Sequence, residues 1–471
     1  VVTEAAELEA TAHLESRAGP SVVSGAVKSG FVLVPLVHSA GANLITVLAF
    51  RYLTDNLAVS AAMAGALFGF VKIYDGVLDP ALGAASDRTR SRYGRRLPYL
   101  LLGALLMPAA VVMLFNTPEF AATRGLEIYL ALALMLQATA YTALTIPGMA
   151  MAVEVSDDYH QRSTLMSLRV FGNSLGVVVG STLPAWLLAL WGATRSGHAQ
   201  MSWVIAALLL ASGLAAVVLL RHTPRTVAVA APQRLRAVGL IGQVKLAWAN
   251  KPFRTLASAH IFVLIGTAVM STSNAYFSKY VLVRTDRWLG TYYLISTVVL
   301  VLFMPAWLWL GRRRGKKFCY LLAMAIFGLV HLSWLFAGPG EPYALLVLRV
   351  AVGGIASGGL ILFAYSMLSD AIRFDYICSG LRREGAFAGL TSLIDKLSAA
   401  LGLAGFGLIL SRMGYAASTT GTLAAQPPSA ITAIYLGFAI VPAVTMLFAM
   451  LTMLSYRLDE HALHEEHAAT A

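Results

Sequence analysis

The stretch that decides the fold reads Lys72-Ile-Tyr-Asp-Gly-Val-Leu-Asp-Pro-Ala-Leu-Gly-Ala-Ala-Ser-Asp-Arg-Thr-Arg-Ser-Arg-Tyr-Gly-Arg-Arg-Leu-Pro98. An apolar run beginning near Ser60 carries two carboxylates, Asp75 and Asp79, and then breaks into an arginine-dense loop. Residues four apart lie on one face of a helix, about one turn from each other. If the run crosses a bilayer and ends near Ala85, Asp75 sits roughly 15 Å inside that end, close to the midplane. Charge at that depth is costly and marks an ion or substrate path.

Composition agrees with a membrane setting. The chain of 471 residues is 58% hydrophobic and 12% charged, with mean hydropathy +0.72; a soluble domain carries about 25% charged residues. The formal net charge of +12 could suggest nucleic acid, but the basic residues cluster in short loops between apolar runs, so no nucleic-acid partner is expected. Cys319 and Cys378 both fall near run ends, which argues against a disulfide framework. Glu4, Glu7, Glu9 and Glu15 interrupt the first 24 residues, which lack the apolar core of a secretory signal.

Twelve apolar segments recur at about 25–53, 60–86, 97–115, 126–152, 164–191, 201–220, 255–282, 288–311, 317–337, 342–369, 385–411 and 430–456. Each is long enough to cross a hydrocarbon core of roughly 30 Å. Alternate loops hold most of the cations: Arg88 to Arg96, Arg162, Arg221 to Arg254, Arg312 to Lys317 and Arg373 to Arg383. The opposite loops hold Arg124, Arg195, Arg284, Arg287 and Arg412. This asymmetry predicts both termini in the cytoplasm. The hydrophilic stretch Arg221–Arg254 splits the runs six and six. The loops after runs 2 and 8 echo one another, Gly94-Arg-Arg96 against Gly311-Arg-Arg-Arg-Gly-Lys-Lys317. Two related halves around a midplane site is a transporter architecture. The expected layout is an all-α, twelve-helix integral membrane protein: a cytoplasmic tail at 1–24, six-helix halves at 25–222 and 253–458, a cytoplasmic linker at 223–252, and a second tail at 459–471.

Several constellations could carry chemistry. Lys72, Asp75 and Asp79 share one helix face, so Lys72 is expected to pair with Asp75 until a hard cation such as Na⁺, or a proton, takes its place. The bland alternative is an ion pair that only pins packing. The fourth run offers Tyr141, Thr142, Thr145 and Pro147; the proline frees a carbonyl one turn earlier. Arg162 and Arg169 share a face of the fifth run, and Arg169 is a candidate for substrate hydroxyls or an anionic group, unless a carboxylate such as Glu154 holds it. Lys396, near the middle of run 11, could reach Asp75 or Asp79 and act with Lys72 as a charge switch; its neighbour Asp395 points about 100° away, toward another element, with Arg349 as the candidate partner. His38 and His260 read as hydrogen-bonded core imidazoles or proton relays. Asn43, Asn274, Tyr276 and Tyr280 suit a polar cavity wall. Asp87 among the arginines suggests a cytoplasmic gate. No nucleophile–base set, metal-spaced His/Cys cluster or phosphate loop is present, so neither an enzyme nor a cofactor is expected.

The span Lys72–Pro98 resembles the signature of the glycoside–pentoside–hexuronide:cation symporters, the melibiose-permease-like branch of the major facilitator superfamily, which also has sodium-dependent lysophospholipid carriers among its relatives. The likeness extends to Pro147, Arg162 and Arg169, to Asn250-Lys-Pro-Phe-Arg254, and to Asp370, Asp375, Gly380 and Arg383-Glu384-Gly385. The resemblance implies a cation site at Asp75, Asp79 and Thr142, a nearby basic residue at Lys396, and a substrate-cavity arginine at Arg169. It departs where the family has sugar-contacting aspartates, at Ser39 (beside His38) and at Thr145, and where an asparagine aids the sodium site, at Leu78. The implied function is a Na⁺-, Li⁺- or H⁺-coupled symporter of a small organic solute, most simply a glycoside, sugar or uronide, in the cell (inner) membrane. A lysolipid or amphiphile carrier is the alternative, and a non-transporting scaffold or receptor the remote one. The expected gate residues are Asp87, Arg88, Arg95, Arg96, Arg162, Arg383 and Glu384. The working unit is expected to be a monomer in the lipid bilayer.

Overall fold

The computed structural model describes residues 23–155, 159–221, 223, 248–379, 383–419, 421 and 425–458. Twelve helices are long and apolar enough to cross a membrane. They are α1 (Gly25–Asn56), α2 (Ala61–Arg88), α3 (Leu97–Phe115), α4 (Thr123–Glu154), α5 (Tyr159–Trp191), α6 (Arg195–Leu220), α7 (Lys251–Val281), α8 (Asp286–Arg314), α9 (Lys316–Phe336), α10 (Tyr343–Ser379), α11 (Glu384–Arg412) and α12 (Pro428–Leu454). No strand occurs among the described residues. All but the last two residues of the expected tail 1–24, the whole tail at 459–471 and most of the expected linker lie outside them.

Local chemistry sets the helix starts. Ser24, Ser60, Thr194 and Asn250 each accept a backbone N–H from three residues on, the usual way to satisfy an orphan donor at a helix N-terminus. The loop echo seen in the sequence has a backbone counterpart. Gly94 after α2 has φ 89° and Gly315 after α8 has φ 83°, left-handed conformations that glycine adopts without a Cβ penalty. α1, α7 and α12 each contain a π-helical turn, at Ile45–Ala49, Phe277–Val281 and Leu436–Ile440. Apolar periodicity carries no signal for these turns, which gather at functional sites.

An even number of crossings puts both ends of the bundle on one side, here termed the terminal end; the other is the distal end. The halves meet mainly through α2 on α11 and α5 on α8. Near the distal end the first contact is tight: a Cβ on Gly65 would lie 3.0 Å from the Leu403 carbonyl oxygen and 3.1 Å from Ala404 Cα. One turn on, Gly69 would sit 3.5 Å from Ala400, and Gly76 would be 3.7 Å from the Lys396 side chain. Gly83 meets only Ile146 of its own half. The helices therefore splay toward the terminal end.

The core follows the same pattern. Phe50 and Phe68 of the first half form a continuous buried cluster with Tyr276, Phe406 and Tyr415 of the second. Toward the terminal end the second half packs clusters of its own around Tyr320 and Phe387. Long apolar side chains such as Leu190 and Leu302 project outward, as a lipid-facing surface requires.

A polar knot seals the distal end. The Asp55 carboxylate, at the close of α1 and 1% exposed, accepts hydrogen bonds from Lys279 Nζ at 2.5 Å, Tyr280 OH at 2.9 Å and Tyr415 OH at 2.6 Å, all from the other half. Arg51 pairs with Asp286 at 2.5 Å. Backbone bonds from Gly421 N to Asp55 O and from Ser418 N to Thr54 O fasten the α11–α12 loop to α1. Asp55→Ala would leave Lys279 buried without its counter-charge, a loss worth roughly 3–5 kcal/mol. The expected result is a lower melting temperature together with new reactivity of an Ala400→Cys thiol toward a polar maleimide.

Candidate functional site: a carboxylate pair bridged to the opposite half

Asp75 and Asp79 do share a face of α2, and Thr142 of α4 lies against both. Thr142 Oγ1 is 2.9 Å from Asp75 Oδ1 and 2.9 Å from Asp79 Oδ1. A hydroxyl has one proton, so it can donate to one of these carboxylates and must present a lone pair to the other. Three oxygens thus converge with a proton for only one contact. From the other half, Lys396 Nζ donates to the Asp75 carbonyl at 2.8 Å, lies 3.2 Å from Asp75 Oδ2, and forms an ion pair with Asp79 Oδ2. Ser392, one turn earlier on α11, donates to Asp79 Oδ2 at 3.3 Å. Asp75 is 3% exposed. Two carboxylates and one ammonium leave one net negative charge in this buried cluster.

The expected Lys72–Asp75 pair is not formed: among the described residues Lys72 makes no ion pair, and Lys396 holds its place. Lys396 reaches across from α11 and can also bond the Asp75 carbonyl, which a lysine on α2 itself cannot reach from the same face. Asp395 does not meet Arg349 either. It lies 3.2 Å from His260 of α7, while Arg349 pairs with Glu341 at 2.6 Å.

A second group of polar side chains lines the first half. Both ring nitrogens of His38, Thr145 Oγ1 and Arg169 Nη1 are buried without a hydrogen-bond partner. His38 packs edge-on against Tyr141, centroids 5.4 Å apart, and Arg169 Nη1 lies beside Gly148 of α4. Neither Glu154 nor an α2 acid claims Arg169. Ser39 instead donates to the Asn173 carbonyl at 3.0 Å, and Asn43 donates back to the Ser39 carbonyl at 2.8 Å, so both are engaged in joining α1 to α5 and to itself. Asn274 accepts from Ser278 at 3.4 Å and keeps its amide nitrogen unpartnered. Tyr276 is placed elsewhere: fully buried, it bonds Thr54 at 2.6 Å in the distal knot. It lies 276 − 251 = 25 residues past the start of α7, roughly 38 Å along the helix, well beyond the midplane.

At the terminal end, Arg96 reaches Asp87 at 2.6 Å and Glu154 at 2.7 Å, and Arg95 reaches Glu154 at 2.8 Å. Burial opposes the Arg96 charge, but Glu154 and Asp87 outweigh it and hold the guanidinium pKa above its ordinary value. Arg88 is exposed. In the second half Arg383 lies 3.9 Å from Asp375. Each network stays within its own half, and no ion pair joins the halves at this end among the described residues. The side chains of Arg162 and Glu384 lie outside the described set.

Residues 30–460 match the MFS/sugar transport protein family. The chain belongs to that family. It is 30% identical to the uncharacterized symporter YnaJ of Bacillus subtilis (strain 168), over 89% of this chain and 88% of that one. It is 28% identical to the isoprimeverose transporter of Lactiplantibacillus pentosus, over 88% and 85%. YagG of Escherichia coli (strain K12), named as a candidate glycoside/cation symporter, is 29% identical over 88% and 87%. The family consists of transporters rather than enzymes, and the branch suggested by Lys72–Pro98 is the one these relatives occupy. The fold also matches the crystal structure of a bacterial homolog of the human lysosomal transporter Spinster, inward-facing and unoccupied, with TM-score 0.67 at 14% identity over 94% of this chain and all of that one.

The sequence did not single out Ser392 or the Asp55 knot. For Ser392 the signal is its spacing of four from Lys396. For Asp55 it is the spacing of four from Arg51 at the edge of an apolar run, hidden because the run was ended at residue 53. Charge balance at the α2 cluster gives a test. Lys396→Met should lower the melting temperature by an amount corresponding to roughly 3–5 kcal/mol, and adding Asp79→Asn should restore part of it.

Proposed function

We propose that this chain is a cation-coupled symporter of a small hydroxylated solute, a glycoside, sugar or uronide, working by alternating access. The observation that carries this reading is the oxygen cluster of Asp75, Asp79 and Thr142, which keeps one net negative charge even with Lys396 counted and has one proton too few for its contacts. A monovalent cation or a proton neutralises it. Hard cations favour oxygen ligands, and the three oxygens Asp75 Oδ1, Asp79 Oδ1 and Thr142 Oγ1 supply them.

In this mechanism Lys396 is the competing charge. While it bridges the acids of α2 from α11, it ties the two halves at the middle of the bundle. Cation entry weakens its hold on Asp75 and Asp79 and frees α2 and α11 to move. The distal end is closed and the terminal end splayed, which corresponds to an inward-facing state when the terminal end is cytoplasmic, the orientation that the arginine-rich loops favour. Opening the other way requires the Asp55 knot to break and the terminal end to close.

The unpartnered donors and acceptors of His38, Thr145 and Arg169 favour a hydrogen-bonding solute over an amphiphile, since a buried polar atom left without a partner costs about 1–3 kcal/mol. Arg169, with no carboxylate partner among the described residues, suits a hydroxyl pair or the carboxylate of a uronide. The names of the isoprimeverose transporter and of YagG point the same way. Cation and solute must tighten each other's binding by one common factor.

Solute counterflow in proteoliposomes, run with Na⁺, Li⁺ or a proton gradient against a panel of glycosides, uronates and lysolipids, tests the reading. Asp75→Asn should abolish the cation dependence. Thr142→Ala should weaken the apparent cation affinity about 10- to 100-fold, the worth of one contact to a charged group. Counterflow with unchanged cation dependence in Asp75→Asn, or saturation only by lysolipids, would overturn it.

A further inference from the structure

We propose that His260 and Asp395 form a proton-binding site in the second half, separate from the acid pair of α2. His260 Nε2 lies 3.2 Å from Asp395 Oδ1, yet Asp395 Oδ1 and His260 Nδ1 are both buried atoms without a hydrogen bond. The contact has the distance of an ion pair but not the geometry of a bond. One added proton makes the imidazole an imidazolium, brings the pair from one negative charge to none, and sets opposite charges 3.2 Å apart.

His260 lines a small cleft of about 20 Å³ between α7, α10 and α11, together with Tyr365 and Thr391 and an apolar wall that includes Phe253 and Ile394. Asp395 remains about a third exposed, at 35%. The charged and titratable groups around the pair are Tyr365 of α10, Arg254 on α7 itself, and Lys396 on α11 with Asp75 and Asp79 of α2 beyond it. The Val441–Leu454 segment of α12, which packs on α7, carries no ionisable side chain.

The placement on α11 gives the site a consequence. Thr391 and Asp395 are four apart and form one stripe, toward α7 and the cleft. Ser392 and Lys396 are four apart and form the next stripe, about 100° round the helix, toward Asp75 and Asp79. Protonation of the pair fastens α11 to α7 and so fixes the helix that aims Lys396 at α2. The proton thereby acts on the charge switch without entering the oxygen cluster.

Histidine-selective ¹⁵N NMR of the full-length protein in detergent tests the proposal without reference to transport. The chain has 10 histidines, and His260→Gln identifies the resonance. The expected result is a signal that titrates between about pH 5 and 8, where imidazole exchanges its proton. Its midpoint should fall in Asp395→Asn, which removes the carboxylate that favours imidazolium, and the titration should persist in Asp75→Asn. If His260→Gln does not fold, Asp395→Asn alone, which keeps every histidine, should still move one midpoint down. A His260 signal constant across this range, a midpoint unmoved by Asp395→Asn, or a titration lost in Asp75→Asn would overturn the proposal.

Discussion

The structure turns on one ammonium group. Lys396 leaves α11, crosses the boundary between the halves, and contacts both carboxylates of α2 and the carbonyl of Asp75. Buried charges persist only where partners compensate them, and removing one partner costs far more than the pair contributes. The two acids therefore need either this lysine or another cation, and the lysine needs the acids. That mutual requirement fixes the register of α2 against α11, the pair of helices that closes at Gly65 and opens beyond Gly76.

The distal knot and the midplane cluster divide the work. At the distal end a single carboxylate, Asp55, gathers three donors from the other half, and a shared aromatic core surrounds it. At the terminal end the arginines bind carboxylates of their own half. The bundle is thus held together at one end and tethered in the middle, and among the described residues no ion pair joins the halves at the other. π-helical turns in α1, α7 and α12 fall in the distal half of the bundle, where Lys279 and Tyr280 of the α7 turn enter the knot.

Much of this was legible in the sequence. Twelve apolar runs, the echoed glycine–arginine loops and the spacing of Asp75 and Asp79 predicted twelve helices and one acidic face, because length and periodicity are local properties. Thr142 and Lys396, singled out in their own runs and again by the family resemblance, lie against that face from α4 and α11. The errors were in non-local partners. Lys72 is on the same face as Asp75, but spacing cannot rank it against a lysine arriving from another helix. Charge alone matches Asp395 with Arg349, but His260 of α7 lies there instead. The chemistry of Tyr276 suits a cavity wall, but its depth along α7 places it at the distal end, against Thr54. Asp55 was passed over because it stood just outside an apolar run.

The central claim is that Lys396 and the coupling cation compete for Asp75 and Asp79. Its most direct test is a calorimetric titration of Na⁺ and Li⁺, across pH, into purified wild-type protein and Lys396→Gln. The account predicts one cation bound per chain and tighter binding once the competing ammonium is gone. Equal or weaker binding in Lys396→Gln would contradict it, and the lysine would then be a structural tether rather than a switch.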